Sequence, residues 1–178
     1  GFNSIGIASS GGAGRVTAEW MINGYMSEDL FSLDIKRFQK FHSSKKFIME
    51  RVTETLGDLY GMHWPYKQHK TSRDQRLLPY HEELKKVGAC FGVSGEYERP
   101  MWYALNEEKA EYQYSFDYQN WYPSVEFETK NTVTNVGLYE LSPFSKYEIK
   151  GEAAHSELQI ICTANIKNEI GRSTYTQM

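Results

Sequence analysis

The feature that most constrains this chain is its opening run of small residues, GFNSIGIASSGGAG, followed by an amphipathic stretch. Glycine allows a ligand to approach the backbone closely, and the free N–H groups at a helix start favour negative charge. The four glycines between residues 6 and 14 are spaced differently from the dinucleotide-binding GxGxxG pattern. The segment predicts a strand and a loop leading into a helix over residues 15–23, ended by Gly24. A ligand-cradling turn and a plain strand-to-helix crossover both fit this pattern.

Composition excludes several classes of protein. The net charge is -3 and the basic residues are scattered, so we expect no nucleic-acid partner. Cys90 and Cys162 form no CxxC pair, which is typical neither of a disulfide scaffold nor of a zinc site. The sequence contains no apolar run long enough to cross a membrane and no signal-peptide pattern. We therefore expect a folded domain without membrane insertion.

Hydrophobic periodicity predicts an α+β fold. An apolar spacing of three to four residues, with turn residues at the ends, predicts helices over residues 45–60, 81–87, 121–135 and 151–163. Residues 89–104, ACFGVSGEYERPMWYA, predict a strand, a turn and a second strand. Alternation or short apolar runs predict further strands at residues 62–64, 136–151 and 171–178.

Several motifs resemble one family in the same order along the chain. GFNSIGIASSGGAGRVTAEWMINGY looks like the closing segment of the FAD-binding domain in the dimethylglycine and sarcosine dehydrogenase family. DIKRF, ERVTETLGDLYGMHWP, SRDQRLLPYHEELKKVGACFG and GEYERPMWY are similar to the central oxidoreductase domain of that family. NWYPSVEFETKNTVTNVGLYELSPFSKYEIKG and GRSTYTQM are similar to the start of its aminomethyltransferase-like, folate-binding domain.

The resemblance implies three modules in an internal fragment of a longer protein. It places the end of an FAD-binding domain at residues 1–33, a central oxidoreductase domain at 34–110, and the incomplete start of the folate-binding domain at 111–178. Tyr97 stands where the family usually has Trp, and Glu140 stands where its DLS motif has Asp. The family's members suggest the bacterial cytoplasm or the mitochondrial matrix as the location.

The chemistry that the resemblance implies is oxidative N-demethylation of a small N-methyl amine, dimethylglycine or sarcosine. FAD would take a hydride from the N-methyl group, and the one-carbon unit would pass to tetrahydrofolate or leave as formaldehyde. The electron acceptor is not implied, and no catalytic residue is assigned to this chain. Two alternatives stay open: a non-catalytic relative of the type that regulates pyruvate dehydrogenase phosphatase, and a slice without activity of its own.

The same resemblance supplies the candidate site residues. Backbone and small side-chain contacts to flavin fall on Asn3, Ser4, Ile5, Gly6 and Ile7, with Gly11 and Gly12 opening the helix behind them. Tyr175 and Phe144 match positions of the folate pocket, although Phe144 fits an ordinary core position equally well.

The remaining chemically active residues favour structural roles. The five histidines lack a metal-ligand spacing such as HxxxH, so no metal site is expected, and His63 is expected to be satisfied or exposed. Arg73, Arg76 and Arg99 are each expected in a structural salt bridge. Cys90, in GACFG, is expected to be a small core residue on a strand.

Overall fold

The computed structural model describes residues 5–26, 28–106 and 109–178. It combines five helices and one antiparallel hairpin in the described residues, as the α+β prediction requires. The elements are α1 (Gly6–Asn23), α2 (Lys45–Leu59), α3 (His81–Lys86), β1 (Ala89–Ser94), β2 (Tyr97–Tyr103), α4 (Tyr122–Thr134) and α5 (Ala154–Ile161). Three short 3-10 turns lie between α1 and α2. In the described ranges, no helix has the length and apolar character needed to cross a bilayer.

Helix α1 begins at Gly6, earlier than the sequence predicts. The predicted loop through Gly14 is wrong, because the small residues continue the helix instead of interrupting it. Around Gly11, Gly12 and Gly14, an added Cβ would meet nothing within 4 Å, so this surface of the helix is open. The helix ends as predicted at Gly24, whose φ is 77° and whose N–H donates to the Trp20 carbonyl at 2.9 Å. The predicted strand falls partly on residues 1–4, which lie outside the described residues.

Helix α2 confirms the helix predicted from periodicity. Ser44 caps its N-terminus, since the Ser44 hydroxyl accepts a hydrogen bond from the Phe47 N–H at 3.2 Å. The Phe47 ring is buried against Phe41 and His42, at centroid distances of 5.4 and 5.0 Å. This aromatic contact fixes the first turn of α2 on the preceding 3-10 turn.

The predicted strand–turn–strand is present as the hairpin β1–β2. Its two-residue turn is Gly95–Glu96, and both residues have positive φ, 58° and 68°. Two positive φ values define a type I′ turn, whose twist matches that of a hairpin. The Glu96 carboxylate also accepts from His42 Nε2 at 2.9 Å, which ties the hairpin tip to the turn before α2.

A small core forms around this hairpin. The register shifts between Cys90 and Phe91, so that Met101 is the extra residue of a β-bulge. Trp102, opposite Cys90, is only 2% exposed, and the other buried apolar residues are Phe47, Leu78, Ala89 and Cys90. The core therefore lies where α2, the segment before α3 and the hairpin meet.

Later in the chain, α4 and α5 confirm two predicted helices, and Pro123 stands in the first turn of α4. The strands predicted at residues 62–64, 136–151 and 171–178 are wrong, because these segments pair with no neighbouring strand in the described structure. Alternation alone is not enough to form a strand when the ladder lacks a partner. No described side chain after Ser124 is buried, and Leu138 and Tyr147 are almost fully exposed.

The close packing at Gly92 yields a first prediction. A Cβ at Gly92 would lie 2.8 Å from Met101 Cγ and 2.9 Å from Gln68 Cδ, and Gln68 is held by its bond to the Val93 N–H. Gly92→Ala should therefore lower the free energy of unfolding by about 1–3 kcal/mol, measured by chemical denaturation. Gly57→Ala is the matched control, since nothing lies within 4 Å of its Cβ in α2, and should raise that energy by about 0.5–1 kcal/mol. Equal effects of the two substitutions would contradict this packing.

Candidate functional site

The densest polar network connects one face of α2 to the loop of residues 67–76. The Glu54 carboxylate accepts hydrogen bonds from the Lys70 N–H at 2.7 Å, from the Thr71 N–H at 2.9 Å and from the Thr71 hydroxyl. Burial by itself raises the pKa of Glu54, but these donors outweigh burial and lower it to about 2. Glu54 is therefore an ionised anchor for the loop.

Two neighbours of Glu54 on α2 extend this anchoring. Arg51 Nη2 donates to the Thr71 carbonyl at 2.6 Å, and the Ser72 hydroxyl donates to Glu50 at 2.7 Å. Ser72 has a φ of 47° and Asp74 has a φ of 60°. Residues other than glycine rarely adopt these backbone conformations. The hydrogen bonds from α2 hold this strained stretch in place.

The strained loop places Arg73 against Glu98 of β2. Arg73 Nε donates to Glu98 Oε1 at 2.8 Å and Arg73 Nη2 donates to Oε2, so the pair is bidentate. The Asp74 N–H donates to Glu98 Oε1 at 2.9 Å. Burial raises the pKa of Glu98, but the Arg73 and Asp74 bonds outweigh it and hold the pKa below its ordinary value. Glu98, at 2% exposure, is thus an ionised carboxylate inside the fold.

The loop also brings together three residues of metal-binding type, Glu54, Asp58 and His69, whose ligand atoms lie within 4.8 Å of one another. His69 Nδ1 is 3.8 Å from Glu54 Oε1 and 4.0 Å from Asp58 Oδ2. Lys67 already pairs with Asp58, and both Glu54 oxygens accept protein hydrogen bonds. Because protein donors already satisfy these carboxylates, we assign the cluster to loop anchoring.

The candidate flavin residues lie at the start of α1. Ile5 is the N-cap residue and makes no side-chain cap, while Gly6 and Ile7 form the first turn. Ile7 is fully exposed, and no acidic side chain occupies the first turn. Asn3 and Ser4 lie outside the described residues. Gly11 and Gly12 lie in the second turn, so their N–H groups are used within the helix and only their small size is available to a ligand.

The structure does not bring the two candidate folate residues together. The ring of Phe144 is 56% exposed and lies 5.4 Å below the Arg99 guanidinium. Tyr175 is 92% exposed, and within the described residues no hydrogen bond or ring contact connects it to Phe144. Arg99 also borders a groove between β2 and α4, whose floor includes Tyr103 and Glu128. Phe144 is not a core residue here.

Sequence reasoning missed the two carboxylates that organise this region. Glu128 Oε1, on α4, accepts from the Tyr103 N–H at 3.0 Å and so ties α4 to the end of β2. Glu98 lies in the GEYERPMWY motif, and the resemblance implies no role for it. Its position before Arg99 on an alternating strand gives no signal of burial, because its partner Arg73 is 25 residues away.

The arginine, cysteine and histidine expectations have mixed outcomes. Arg73 forms the expected salt bridge, but Arg76 and Arg99 do not: among the described residues they stack on Tyr97 and Phe144 instead. Cys90 is buried on β1 as expected, and burial raises the pKa of its thiol to about 11. His63 is exposed.

Comparison with known proteins assigns the family. A GCVT N-terminal domain model matches residues 80–178. The chain belongs to the GCVT N-terminal domain family. A second model, the FAD dependent oxidoreductase central domain, matches residues 23–77, immediately before the first. The two models in this order confirm the resemblance to the dimethylglycine and sarcosine dehydrogenase family, while residues 1–22 lie outside both matches.

Three curated relatives cover nearly the whole chain. The chain is 39% identical over 176 residues to 4-methylaminobutanoate oxidase (formaldehyde-forming) of Paenarthrobacter nicotinovorans. The aligned region covers 99% of the chain and 21% of that protein. It is 32% identical to the mouse mitochondrial pyruvate dehydrogenase phosphatase regulatory subunit, over 100% of the chain and 21% of that protein. It is 26% identical to rat mitochondrial dimethylglycine dehydrogenase, over 97% of the chain and 20% of that protein. The chain thus spans about a fifth of the length of these relatives.

The low pKa of Glu54 gives a second prediction. Its carboxyl has a pKa of about 2 in the fold, against 4.5 ordinarily, so its stabilisation is complete above pH 4.5 and is lost as the pH falls toward 2. Glu54→Gln should cost about 1–3 kcal/mol of unfolding free energy at neutral pH, and this difference should shrink below pH 4.5. Chemical denaturation of both proteins at several pH values measures this difference in unfolding free energy.

The exposed Glu126, paired with Lys130 on α4, supplies the matched control. Glu126→Gln should change the unfolding free energy by less than about 0.5 kcal/mol at any of these pH values. A pH-independent cost of Glu54→Gln would contradict the anchoring role of the Glu54 charge.

Proposed function

We propose that this chain is part of an FAD-dependent enzyme that oxidatively demethylates N-methyl amino acids. The observation that carries the proposal is the succession of the two family matches within one chain, an FAD dependent oxidoreductase central domain followed by a GCVT N-terminal domain. Its 39% identity to a formaldehyde-forming 4-methylaminobutanoate oxidase supports the same reaction class. The proposal concerns the whole protein, because the chain spans only about a fifth of the length of its relatives.

The start of α1 fits one edge of a flavin. The first N–H groups of a helix have no intrahelical partner, and here no side chain caps them. Backbone N–H groups of Gly6 and Ile7 would therefore favour the electron-rich edge of the ring system, with Ile5 beside them. Gly11 and Gly12 leave the adjacent helix surface open for close approach. When bound, FAD supplies the acceptor for the hydride of the N-methyl group.

The Phe144 surface fits tetrahydrofolate in its chemistry. An exposed aromatic ring can stack on the flat rings of folate, and the neighbouring Arg99 guanidinium can pair with the carboxylates of its tail. Tyr175 is proposed as a further folate contact on the resemblance alone. These residues would bind and orient the one-carbon acceptor, and they transfer no proton themselves.

Three N-methyl amino acids are the candidate substrates. The relative with 39% identity is named for 4-methylaminobutanoate, whereas the relatives named for dimethylglycine and sarcosine are 26–28% identical. Identity over this region therefore favours 4-methylaminobutanoate as the first substrate to test. Dimethylglycine and sarcosine follow.

A regulatory role is the second candidate. It is favoured by the 32% identity to the mouse regulatory subunit over the full length of the chain. That identity is higher than the identity to the rat dimethylglycine dehydrogenase. A regulatory protein of this kind would not need to turn over an amine, so turnover separates the two proposals.

The test is to express the gene that encodes this chain from its own start codon to its own stop codon. We expect a yellow protein whose flavin absorbance bleaches anaerobically with at least one of the three N-methyl amino acids. With a dye as electron acceptor, formaldehyde should form without tetrahydrofolate and should fall when tetrahydrofolate is added. A colourless protein that oxidises none of the three would contradict the enzymatic proposal and leave the regulatory one.

A further inference from the structure

We propose that Arg73 and Glu98 are positioning residues that direct the one-carbon unit to folate instead of water. They hold the segment that matches the oxidoreductase central domain against the segment that matches the GCVT N-terminal domain. This inference rests on the proposed function. We call the contacts between residues 23–77 and 80–178 the junction, and the Arg73–Glu98 ion pair lies within it.

The hydrogen bonds of the ion pair fix the positions of the elements that carry them. Both Glu98 oxygens are engaged by the Arg73 guanidinium, and the carboxylate is only 2% exposed. The remaining guanidinium bonds are to backbone: Nη2 donates to the Phe91 carbonyl at 3.0 Å and Nη1 to the His69 carbonyl at 3.2 Å. The planar guanidinium thus fixes β1, β2 and the loop of residues 67–76 in one arrangement.

Other directional bonds cross the junction on both sides of this pair. Gln68 Oε1 accepts from the Val93 N–H at 2.9 Å, and the Gln68 N–H donates to the Tyr114 hydroxyl at 3.0 Å. Buried Gln119 donates to the Pro65 carbonyl at 2.9 Å. Hydrogen bonds lose most of their strength when their angles change, so a junction made of them resists sliding more than an apolar one does.

A buried ion pair of this kind is better explained by geometry than by stability. The Glu98 side chain is 2% exposed and the Arg73 side chain 26% exposed, so both charges lose hydration, and well-packed apolar residues often replace such pairs without loss of stability. The bidentate geometry, by contrast, can be satisfied by only one relative placement of the two segments. The pair therefore suits a protein in which the two segments must keep a fixed placement.

The proposed reaction supplies the reason for a fixed placement. On the proposed function, breaking an N-methyl C–H bond would send a hydride to bound flavin and leave an iminium, which could react in two ways. Water adds to it and yields formaldehyde, the free amine and a proton. Alternatively, two nitrogens of tetrahydrofolate would add to its carbon and lose their protons, forming the methylene adduct and releasing the amine and a proton. If the folate-binding segment were displaced, transfer to tetrahydrofolate would slow and more of the iminium would react with water. Small misplacements of reacting groups reduce rates strongly.

The experiment uses the full-length gene product and three variants. Arg73→Lys keeps the charge but removes the planar, bidentate geometry. The double variant R73Q/E98Q removes both charges, so that no unpaired charge stays buried if a single change prevents folding. The matched control is K150Q/E148Q, which removes an ion pair whose side chains are 77% and 76% exposed.

The main readout is the fraction of oxidised methyl groups recovered as formaldehyde at saturating tetrahydrofolate, with a dye as electron acceptor. We expect R73K and R73Q/E98Q to raise this fraction roughly two- to tenfold, with the anaerobic rate of flavin reduction unchanged within about twofold. The control variant should match the wild type in the formaldehyde fraction and in the rate of flavin reduction. A change in oxidation rate or stability without a change in this fraction would overturn the proposal.

A second readout separates this inference from the proposed function. Chymotrypsin cleavage after Tyr80, next to the point where the two family matches meet, should be about tenfold faster in R73Q/E98Q than in the control. If the wild-type protein oxidises no amine, the proposed function and the transfer part of the inference fail together. The cleavage rate then decides the positioning part alone: faster cleavage supports it, and an unchanged rate overturns it.

Discussion

The ion pair between Arg73 and Glu98 is the interaction on which the rest of this structure depends. A carboxylate that is 2% exposed remains ionised only if strong donors replace its water. Here the bidentate guanidinium and the Asp74 N–H supply them, and the pKa of Glu98 stays below its ordinary value despite burial. Every element that presents one of these donors is therefore constrained by the position of one side chain on β2.

The loop that carries Arg73 depends in turn on α2. Ser72 and Asp74 both have positive φ, and such backbone persists only when its surroundings hold it. Glu54 and Arg51 provide that support by bonding to both kinds of backbone group, N–H and carbonyl, in residues 70–72. Helix α2 therefore contacts the rest of the fold through polar groups as much as through apolar ones. Phe47 is its only buried side chain in the described structure.

The sequence predicts the local elements well and the long-range contacts poorly. Helix α2 and the hairpin are predictable because apolar spacing, the Ser44 cap and the Gly95 turn act within a few residues. The pairing of Arg73 with Glu98 spans 25 residues and leaves no periodic signal, so it was predicted only as an unspecified salt bridge. The candidate site is also predicted only in part. The resemblance implies Phe144 as a folate contact, but it does not predict the Arg99 guanidinium above the Phe144 ring.

The wrong elements have physical explanations as well. Glycine is less favourable than alanine in a helix by only about 1 kcal/mol per residue, so its presence did not prevent α1 from extending to Gly6, where the sequence predicts a loop. Residues 136–151 alternate as a strand should, with Tyr147 and Ile149 on one side, but within the described ranges no second strand offers the ladder bonds. A pattern of side chains specifies a face, and the element forms only when a partner covers that face.

Two kinds of surface follow from these constraints. Between residues 65 and 119, several polar groups form hydrogen bonds across the junction, and these bonds fix the arrangement there. The candidate cofactor contacts are different: Ile7 near one end of the sequence and Tyr175 near the other are almost fully exposed. A hydrogen-bonded centre flanked by exposed candidate contacts is the arrangement expected of a rigid connection between two cofactor sites. On the proposed function, this chain contributes less to the chemistry of either site than to the distance between them.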